Sequence, residues 1–342
     1  MRSRSPLPWI VALAGAIGVT GTMGVLRAAD ERTEDVERIG GLESVLADVP
    51  DRDDPSIEYP AENYLLVGSD SRAGVDGSSV DAGVIGGVDD VGGRRSDTIM
   101  ILRQERNGGA GLMSIPRDLW VDIAGTDRSN RINAAYNEGP ERLAATVSQS
   151  LGIPIHHYGE VDFVGFKQII DELGGIELCV GYAARDTRSG LSIQPGCQRL
   201  DGVQALAFAR SRYYEQWDGE RWVLDPRADL GRIERQQFFI RSAVDGTLRK
   251  MQSSPFGSGE VIDAVVGAVR IDDRLDPIRA GEALRNAVEE GLRTFALPVE
   301  NDTVGDAAVL RLGQGSETVL DYFRGDGPPP VEFETTTVEP ST

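Results

Sequence analysis

The sequence predicts an α/β protein in which helices cover both faces of one mixed β-sheet. Apolar strand-like runs alternate along the chain with segments whose apolar residues recur at helical spacing. Asn107-Gly108-Gly109 joins two of the strand-like runs as a tight hairpin would, so part of the sheet is antiparallel. The chain has 342 residues, of which 40% are hydrophobic, enough to build a sizeable core. These observations favour a mixed sheet between layers of helices.

The first thirty residues indicate the compartment. Arg2 and Arg4 precede an uncharged stretch whose core, Trp9–Leu26, approaches the roughly 20 residues that cross a bilayer. Positive charge before this stretch and acidic residues after it place the N-terminus in the cytoplasm and the rest outside the cell membrane. We therefore expect a short cytoplasmic segment (1–8) and a retained single-pass anchor. A cleaved signal peptide is the alternative, because the stretch is rich in small residues.

Charge restricts the partners of the chain and indicates its flanking segments. With 35 basic and 55 acidic residues the formal net charge is −20, so phosphate polyanions are repelled and no nucleic-acid partner is expected. Residues 27–62 are acidic and contain several prolines, which predicts a spacer between membrane and domain. Residues 301–342 are acidic with a proline run, which predicts a partly disordered segment beyond a domain at 63–300.

The elements of the domain follow one another in order. The candidate strands are apolar runs bounded by turn residues: Tyr64–Val67, Thr98–Leu102, Gly111–Ile115, His157–Val161, Ile176–Val180 and Thr294–Leu297. The candidate helices carry apolar residues at helical spacing: Glu141–Leu151, Phe163–Leu173, Asp201–Ala209, Ile233–Leu248 and Pro277–Gly291. Pro140 at a first-turn position and Gly174-Gly175 at a C-cap mark two helix ends.

The two cysteines suit an oxidising compartment. Cys179 lies in an apolar strand-like run and Cys197 in a Pro-Gly turn, separated by a polar, turn-like segment. A disulfide between them would stabilise the fold by about 3 kcal/mol in the chain-entropy model. Two unrelated buried thiols are the alternative. The spacing does not indicate a zinc site.

Acidic and basic residues adjoin the ends of three predicted strands. Asp70 follows the first strand, Asp97 precedes the second, and Arg117 follows the third. Antiparallel pairing would bring all three to one rim of the sheet. Two aspartates can hold Mg²⁺ or Mn²⁺, and an arginine can neutralise charge on a phosphoryl group. The alternative is local: Asp97 caps its strand and Arg117 pairs with Asp118 at the surface.

A second group of arginines lies after the helix that Asp201 opens. Its members are Arg210, Arg212, Arg227, Arg232 and Arg235. Arg232 and Arg235 are three residues apart at a helix start, so they share a face near the helix N-terminus, which favours anions. The group could bind a diphosphate. It could equally form a solvated face, because acidic residues are interleaved with the arginines.

Six short motifs carry these residues. They are Gly68-Ser69-Asp70-Ser71-Arg72, Arg95-Ser96-Asp97-Thr98, Ser114-Ile115-Pro116-Arg117-Asp118, Arg131-Ile132-Asn133-Ala134-Ala135-Tyr136, Ala209-Arg210-Ser211-Arg212 and the block from Asp229 to Gln236. In this order they resemble the LytR-CpsA-Psr family of cell-envelope ligases, of the actinobacterial type. The resemblance runs from about Asn63 to Arg241, with weaker similarity to about Pro298.

The resemblance implies a three-layer α/β/α sandwich with a deep apolar pocket for a polyprenyl chain. It also implies transfer of a glycopolymer from a polyprenyl-pyrophosphate carrier to a peptidoglycan hydroxyl. Asp70 and Asp97 would be the Mg²⁺ ligands and Arg117 the arginine nearest the scissile pyrophosphate. The phosphates would be contacted by Arg210, Arg212, Arg227 and Arg235, with Arg72 assisting. Asp118 is a candidate general base.

The chain departs from the family pattern in two places. Leu230 replaces an aromatic residue that often precedes the glycine of the last block. The stretch Tyr213–Leu224 resembles an insertion between the arginine motifs and brings Tyr213, Tyr214, Trp217 and Trp222. These aromatic side chains could stack on sugars or form a hydrophobic plug on the domain surface, and the sequence does not favour either.

Two other functions use the same residues. One is a pyrophosphatase that hydrolyses the lipid-linked substrate, and the other is a non-enzymatic protein that holds lipid-linked polymer near its assembly machinery. No Ser-His or Cys-His nucleophile pair is evident in the sequence. His156 and His157 are adjacent in a predicted strand and point to opposite faces, which favours a structural role.

Overall fold

The structure, a computed structural model, describes residues 35–49, 61–69, 96–105, 109–226, 258–277 and 292–330, and residues 231, 235 and 238 singly. The predicted anchor and four predicted site residues lie outside this set: Asp70, Arg72, Arg227 and Arg232. Apart from single residues, the predicted helices at 233–248 and 277–291 lie outside it as well. Among the residues that are described, none of the helices combines the length and the apolar character needed to cross a bilayer.

The described segments form strands, five α-helices and one 3-10 helix. The strands are β1 (Glu37–Ile39), β2 (Ala61–Ser69), β3 (Ser96–Glu105), β4 (Ala110–Ile115), β5 (Trp120–Asp122), β6 (Ser129–Arg131), β7 (His157–Val161), β8 (Ile176–Val180), β9 (Ala184–Asp186), β10 (Leu191–Ile193), β11 (Gly196–Leu200), β12 (Glu215–Trp217), β13 (Trp222–Leu224), β14 (Val269–Asp272), β15 (Leu292–Ala296), β16 (Val299–Val304) and β17 (Ala307–Leu312). The α-helices are α1 (Pro140–Leu151), α2 (Phe163–Glu172), α3 (Gly202–Arg210), α4 (Ser258–Ala268) and α5 (Ser316–Arg324), and the 3-10 helix spans Ile132–Glu138.

A seven-stranded mixed sheet forms the centre, in the order β1-β14-β7-β2-β3-β4-β15. The strands β2, β3 and β4 pair antiparallel, whereas β7 joins β2 and β15 joins β4 in parallel. The expected mixed sheet is confirmed. The predicted strand Ile176–Val180 forms as β8 but pairs only with β11, outside the central sheet.

Both faces of the central sheet are buried. On one face, alternate residues such as Leu65, Ile101 and Met113 pack in a cluster with α1, the 3-10 helix and α5. The residues that alternate with them, including Leu66 and Met100, are buried as well. Burial of both side-chain sets means that each face of the sheet is covered, as a layered sandwich requires.

A second, smaller core lies beside the sheet. It packs α2 and α3 against β8–β11, with Phe166, Leu178 and Leu206 among its buried members. In the register of β8 and β11, Cys179 is opposite Cys197, and the two form a disulfide, which confirms the expected pairing. The bridge ties together the two strands that cover this core.

Local sequence signals set the helix ends. Asp162 caps α2 by accepting a hydrogen bond from the Gly165 amide at 2.8 Å. Asp201 and Gln204 form a reciprocal capping box at the start of α3. Pro140 occupies the first turn of α1, as expected, and Gly152 ends that helix at a φ of 70°, where glycine is favoured.

The domain extends beyond both boundaries expected from composition. Within the expected spacer, Ile39, Leu42 and Leu46 are buried in the main core, and β1 pairs with β14. At the other end, Leu320 and Phe323 of α5 are fully buried in the same core. The boundaries expected at residues 63 and 300 are therefore corrected outwards. The composition of these segments is acidic overall, but a few of their apolar residues become buried by packing against distant parts of the chain.

Candidate functional site

One rim of the central sheet gathers the ends of the motif-bearing strands. Gly68 pairs with Thr98 across β2 and β3, and Ile99 pairs with Ile115 across β3 and β4. Asp97 therefore lies at the start of β3, beside the residues that follow Ile115. This confirms the antiparallel arrangement from which a shared rim was expected. Asp70 directly follows Ser69, the last described residue of β2.

A β-bulge marks the position of Asp97. Gly68 is opposite Thr98, but the next residue, Ser69, is opposite Ser96, so Asp97 is the extra residue on β3. Bulges bend a strand and redirect a side chain, and they are frequent beside active sites. The bulge therefore lies at Asp97, one of the two predicted metal ligands. It is beside the end of β2, and the other predicted ligand, Asp70, directly follows that end. The Asp97 side chain itself lies outside the described side chains.

Asp118 joins two arginines at this rim. Its Oδ2 is 3.6 Å from the Nε of Arg117, and its Oδ1 is 3.4 Å from the Nε of Arg131. The Arg117 side chain is 14% exposed, so this cation is held at the edge of the core rather than in free solvent. The pairing of Arg117 with Asp118, given above as the alternative to a phosphate site, is thus present. Asp118 also pairs with Arg131, whose role the sequence did not assign, so one carboxylate forms ion pairs with two guanidinium groups.

The C-terminal hairpin completes this corner, which sequence analysis missed. The Leu310 amide donates to the Asp118 carbonyl at 3.0 Å, and an Arg131 guanidinium nitrogen donates to the Ala308 carbonyl at 2.7 Å. From the other side, the Asn133 amide donates to the Arg117 carbonyl at 3.2 Å. The sequence contains a signal for this hairpin, because Gly305 lies between two strand-like runs. In the structure Gly305 is in the turn from β16 to β17 and has a φ of 61°.

Buried polar groups lie behind the same rim. The hydroxyls of Tyr136 and Tyr158 both donate to Oε2 of Glu160, at 2.8 and 2.7 Å, and Arg270 donates to Oε1 at 2.5 Å. Burial and then the Glu160 carboxylate raise the pKa of Tyr136. Glu160 pairs in register with Val67, so it lies close to the end of β2. Tyr136 therefore fastens its motif to the sheet.

Arg210, the first member of the second arginine group, reaches the same rim. Val161, the end of β7, is opposite Gly68, and Phe163 follows two residues later. The Arg210 guanidinium carbon lies 4.5 Å from the centre of the Phe163 ring. Arg210 is thus brought to the rim from the end of α3 by a cation–π contact. Arg212, two residues further on, is exposed.

A buried carboxylate that sequence analysis missed holds this arginine motif. Oδ2 of Asp186 accepts hydrogen bonds from the Ser211 hydroxyl at 2.8 Å and from the Arg212 and Tyr213 amides at 2.9 Å each. Burial alone would raise the pKa of Asp186, but these hydrogen bonds outweigh it and hold the pKa below its usual value. The Asp186-Thr187-Arg188-Ser189 sequence is typical of an Asx turn and could have indicated the residue.

Asp186→Asn is expected to lower the free energy of unfolding by about 2–4 kcal/mol at pH 7, because an amide nitrogen would face N–H donors. The folded-state pKa of Asp186 is depressed, so its contribution is present above the unfolded carboxyl pKa of about 4 and is lost as pH falls through the folded value. Denaturant unfolding at neutral and acidic pH should show the gap between the two proteins closing in acid.

The matched control is Asp201→Asn, because asparagine caps a helix as well as aspartate does. It should leave stability almost unchanged at both pH values. A gap for Asp186→Asn that is independent of pH would contradict the assignment of this stabilisation to the ionised carboxylate.

Arg235 has a packing role that the sequence did not predict. Its guanidinium donates to the Ser211 carbonyl at 2.8 Å, pairs with Asp225 at 3.3 Å and lies 4.5 Å from the centre of the Tyr214 ring. The side chain is 7% exposed. These contacts connect the last arginine block to the Arg210-Ser211-Arg212 motif, and a phosphate contact by Arg235 stays a prediction.

The two histidines have structural partners. His156 Nδ1 accepts a hydrogen bond from the Asn63 amide at 2.8 Å, and burial lowers the pKa of His156 to about 4, so it is neutral at physiological pH. His157 Nδ1 lies 3.5 Å from Asp272, and its ring stacks on Tyr64. Neither of these pairings includes a serine or cysteine nucleophile.

The rim suits chemistry on a phosphate group. Arg117, Arg131 and Arg210 bring positive charge to it from three separate elements, and Asp97 is at a bulge beside the strand that leads to Asp70. Carboxylate oxygens are the ligands that Mg²⁺ and Mn²⁺ prefer, so the donor set fits such a cation. Elsewhere among the described residues, no cluster of three or more His, Cys, Asp or Glu residues could hold a metal.

Comparison with known proteins identifies the family of the chain. Residues 46–320, most of the chain, match the LytR_cpsA_psr family. The chain is 34% identical over 252 residues to "Probable cell wall biosynthesis protein LcpB" of Corynebacterium glutamicum, covering 72% of this chain and 57% of that protein. It is 35% identical over 207 residues to "Polyisoprenyl-teichoic acid--peptidoglycan teichoic acid transferase TagU" of Bacillus cereus, covering 59% and 57%. The matches thus span just over half the length of these relatives.

Solved structures share the fold. "LytR-Csp2A-Psr enzyme from Actinomyces oris" superposes with a TM-score of 0.60 at 24% identity, covering 84% of this chain and 95% of that one. "TagT bound to LI-WTA" gives a TM-score of 0.59 at 20% identity, covering 85% and 98%. The architecture, the order of the motifs and the extent of the sequence match agree, and the chain belongs to the LytR-CpsA-Psr family.

Proposed function

We propose that this protein transfers a glycopolymer from a polyprenyl-pyrophosphate carrier to a hydroxyl group of peptidoglycan, outside the cell membrane to which residues 9–26 anchor it. The observation that carries the proposal is the convergence of Arg117, Arg131 and Arg210 on the rim where Asp97 forms a bulge. Relatives named as teichoic acid transferases and cell wall biosynthesis proteins support the substrate class.

In the proposed reaction, a hydroxyl oxygen of the wall attacks the phosphorus that carries the glycan. The bond from this phosphorus to the bridging oxygen breaks, and polyprenyl phosphate leaves with the bonding electrons. Arg117 and Arg131 neutralise the charge on the phosphoryl oxygens, as arginines do in phosphoryl transfer. Because Asp118 pairs with both arginines, their guanidinium groups are oriented before substrate binds. This positioning would supply much of the rate enhancement. The proton of the attacking hydroxyl group passes to a general base, and Asp118 is the residue that the sequence predicts for this role.

Further residues bind the diphosphate in this proposal. Asp70 and Asp97 would hold Mg²⁺ or Mn²⁺, which when bound neutralises diphosphate charge. Arg72, Arg212, Arg227, Arg232 and Arg235 would contribute phosphate contacts. Asp186 fixes the backbone at Arg212 and so orients that side chain.

A labelled-substrate experiment distinguishes ligation from its alternatives. The full chain in lipid vesicles is given a glycan labelled in its sugar and linked to polyprenyl pyrophosphate, with Mg²⁺ and peptidoglycan. Label on the insoluble peptidoglycan supports ligation. Free glycan phosphate would identify a pyrophosphatase instead. Unchanged substrate retained by the protein would identify a binding or scaffolding protein, and either of these results would overturn the proposed transfer.

A further inference from the structure

Exposed apolar side chains are concentrated on one small sheet. Among the described residues seven large hydrophobic side chains are exposed, and five of them lie on or beside the β12–β13 hairpin: Tyr182, Tyr213, Trp217, Val223 and Leu224. Leu224 is 50% exposed and Tyr182 is 59% exposed. A concentrated apolar surface on a folded domain indicates an interaction site. We call Trp217, Trp222 and Leu224 the hairpin patch.

Strand register arranges the hairpin patch. The small sheet has the order β10-β9-β12-β13, so β13 is an edge strand. Trp217 is opposite Trp222, and Glu215 is opposite Leu224, which puts both tryptophans and Leu224 on one face. Arg185, opposite Glu215 in the next strand, shares that face. An exposed edge strand can pair with another chain, so proteins usually cover or protect such a strand, above all when it carries aliphatic side chains.

Arginines cover the aromatic faces in and beside the hairpin patch. The Arg185 guanidinium carbon lies 4.2 Å from the Trp222 ring centre, and that of Arg188 lies 3.7 Å from the Tyr213 ring centre. Trp217 meets Trp222 edge to face at 5.6 Å. Sugars stack on open ring faces, so this packing disfavours a sugar platform. Indole rings, aliphatic tips and arginines with charged ends are typical of a surface at the membrane–water boundary.

The topology places the hairpin patch close to where the chain comes from the membrane. Glu37 pairs with Arg270, and the adjacent Val269 pairs with Val161, which is opposite Gly68 at the functional rim. Arg270 also donates to both Glu37 and Glu160. The chain therefore enters the domain at the rim that carries the site. Arg210 reaches this rim through Phe163, and the adjacent Ser211 donates to Asp186 in β9, the strand that pairs with β12 of the hairpin.

The connection from the predicted anchor is short. Residues 27–34 separate the anchor at 9–26 from the first described residue, Asp35. Fully extended, such a segment spans less than about 30 Å. The rim is consequently confined near the bilayer, and a surface that contacts lipid is needed there to orient it.

We propose that the hairpin patch inserts into the headgroup region of the bilayer and orients the arginine rim toward lipid-linked substrate. This inference rests on the membrane anchoring proposed above. Leu224 would enter the acyl boundary, while Arg185 and Arg188 stay with the lipid phosphates. The same contact would place the Arg210-Ser211-Arg212 motif at the level of the bilayer surface where the pyrophosphate of a lipid-linked substrate lies.

Tryptophan quenching by brominated lipid tests the contact. The full chain carrying Trp9→Phe is reconstituted in phosphatidylglycerol–phosphatidylcholine vesicles with or without brominated acyl chains. Of the four tryptophans in the chain, Trp120, Trp217 and Trp222 then remain. Bromine should reduce the emission by about half, because two of these three indoles lie in the hairpin patch. Adding Trp217→Phe and Trp222→Phe should remove the quenching and leave Trp120 emission unaffected.

A matched pair of leucines provides the control. Leu224→Asp in the hairpin patch should abolish most of the quenching, whereas Leu312→Asp, on the exposed β16–β17 hairpin, should leave it unchanged. Emission equal in brominated and plain vesicles would overturn the proposal, as would quenching that survives loss of both patch tryptophans. Concentration-dependent dimerisation lost with Leu224→Asp, without quenching, would assign the patch to a second copy of the chain and also overturn it.

The readouts keep this inference separate from the proposed function. Flotation of the chain with vesicles reports the anchor, and a chain that does not float overturns both the anchor and the patch contact. Glycan transfer is measured independently. Quenching without transfer would refute the proposed function alone, and transfer without quenching would refute the patch contact alone.

Discussion

Arg117→Ala is expected to lower kcat/KM for glycan transfer by about 100- to 1000-fold, the loss typical of removing one group that stabilises transition-state charge. Arg117 follows β4 at the rim, and its Nε atom lies 3.6 Å from Oδ2 of Asp118. Arg117→Lys keeps the charge but loses the planar fork, so it should recover only part of the rate. Labelled glycan on peptidoglycan is the measurement.

The control for this loss is Arg128→Ala. Arg128 is 74% exposed and pairs with Glu138 at 3.2 Å on the surface. Such an exposed ion pair has little energetic weight, so this variant should transfer glycan at the normal rate. The thermal transition of Arg117→Ala should stay close to that of the parent, since Asp118 keeps its pairing with Arg131. Normal transfer by a folded Arg117→Ala protein would refute the assigned role.

Asp97→Asn is expected to abolish the stabilisation that Mn²⁺ or Mg²⁺ provides and to reduce glycan transfer to near background. The substitution keeps the size of the side chain and removes the charge that a hard cation requires. For the parent protein, a cation at about 100 times its dissociation constant should raise the free energy of unfolding by about 2.7 kcal/mol. Thermal denaturation with and without the cation measures this independently of activity.

Asp302→Asn is the corresponding control on an exposed carboxylate. Asp302 pairs with Arg311 at 2.5 Å on the β16–β17 hairpin, and its side chain is 42% exposed. It should respond to the cation as the parent does. If the cation stabilises Asp97→Asn as strongly as the parent, Asp97 is not a ligand and the proposed metal site must be abandoned.

Most of the secondary structure and the rim were predictable because their signals are local. The strands at 64–67, 98–102 and 111–115 are short apolar runs, and Asn107-Gly108-Gly109 between the second and third indicated their antiparallel pairing. Once the pairing was assumed, Asp97 and Arg117 had to meet at one rim. The capped helices at 141–151 and 163–173 were predicted to within a residue or so of their ends.

The site residues that escaped prediction depend on contacts between distant parts of the chain. Asp186 is important because it binds amides at Arg212 and Tyr213, and nothing near Asp186 in sequence specifies those partners. Arg131 is a site residue because of Asp118 and the Ala308 carbonyl. A hydrogen bond between residues that are far apart in the sequence leaves no periodic pattern in it. A prediction from local patterns therefore cannot detect such a bond.

The amino-acid sequence was sufficient to predict the alternation of strands and helices, the disulfide partners, the motifs that identify the family and the compartment expected for the domain. Local propensity, charge and the order of motifs suffice for these. Three features required the folded structure: the bulge at Asp97, the contribution of residues 299–324 to the core and the site, and the approach of Arg210 to the rim. Register and burial depend on which distant strands pair, and that choice is made by the packing of the whole domain.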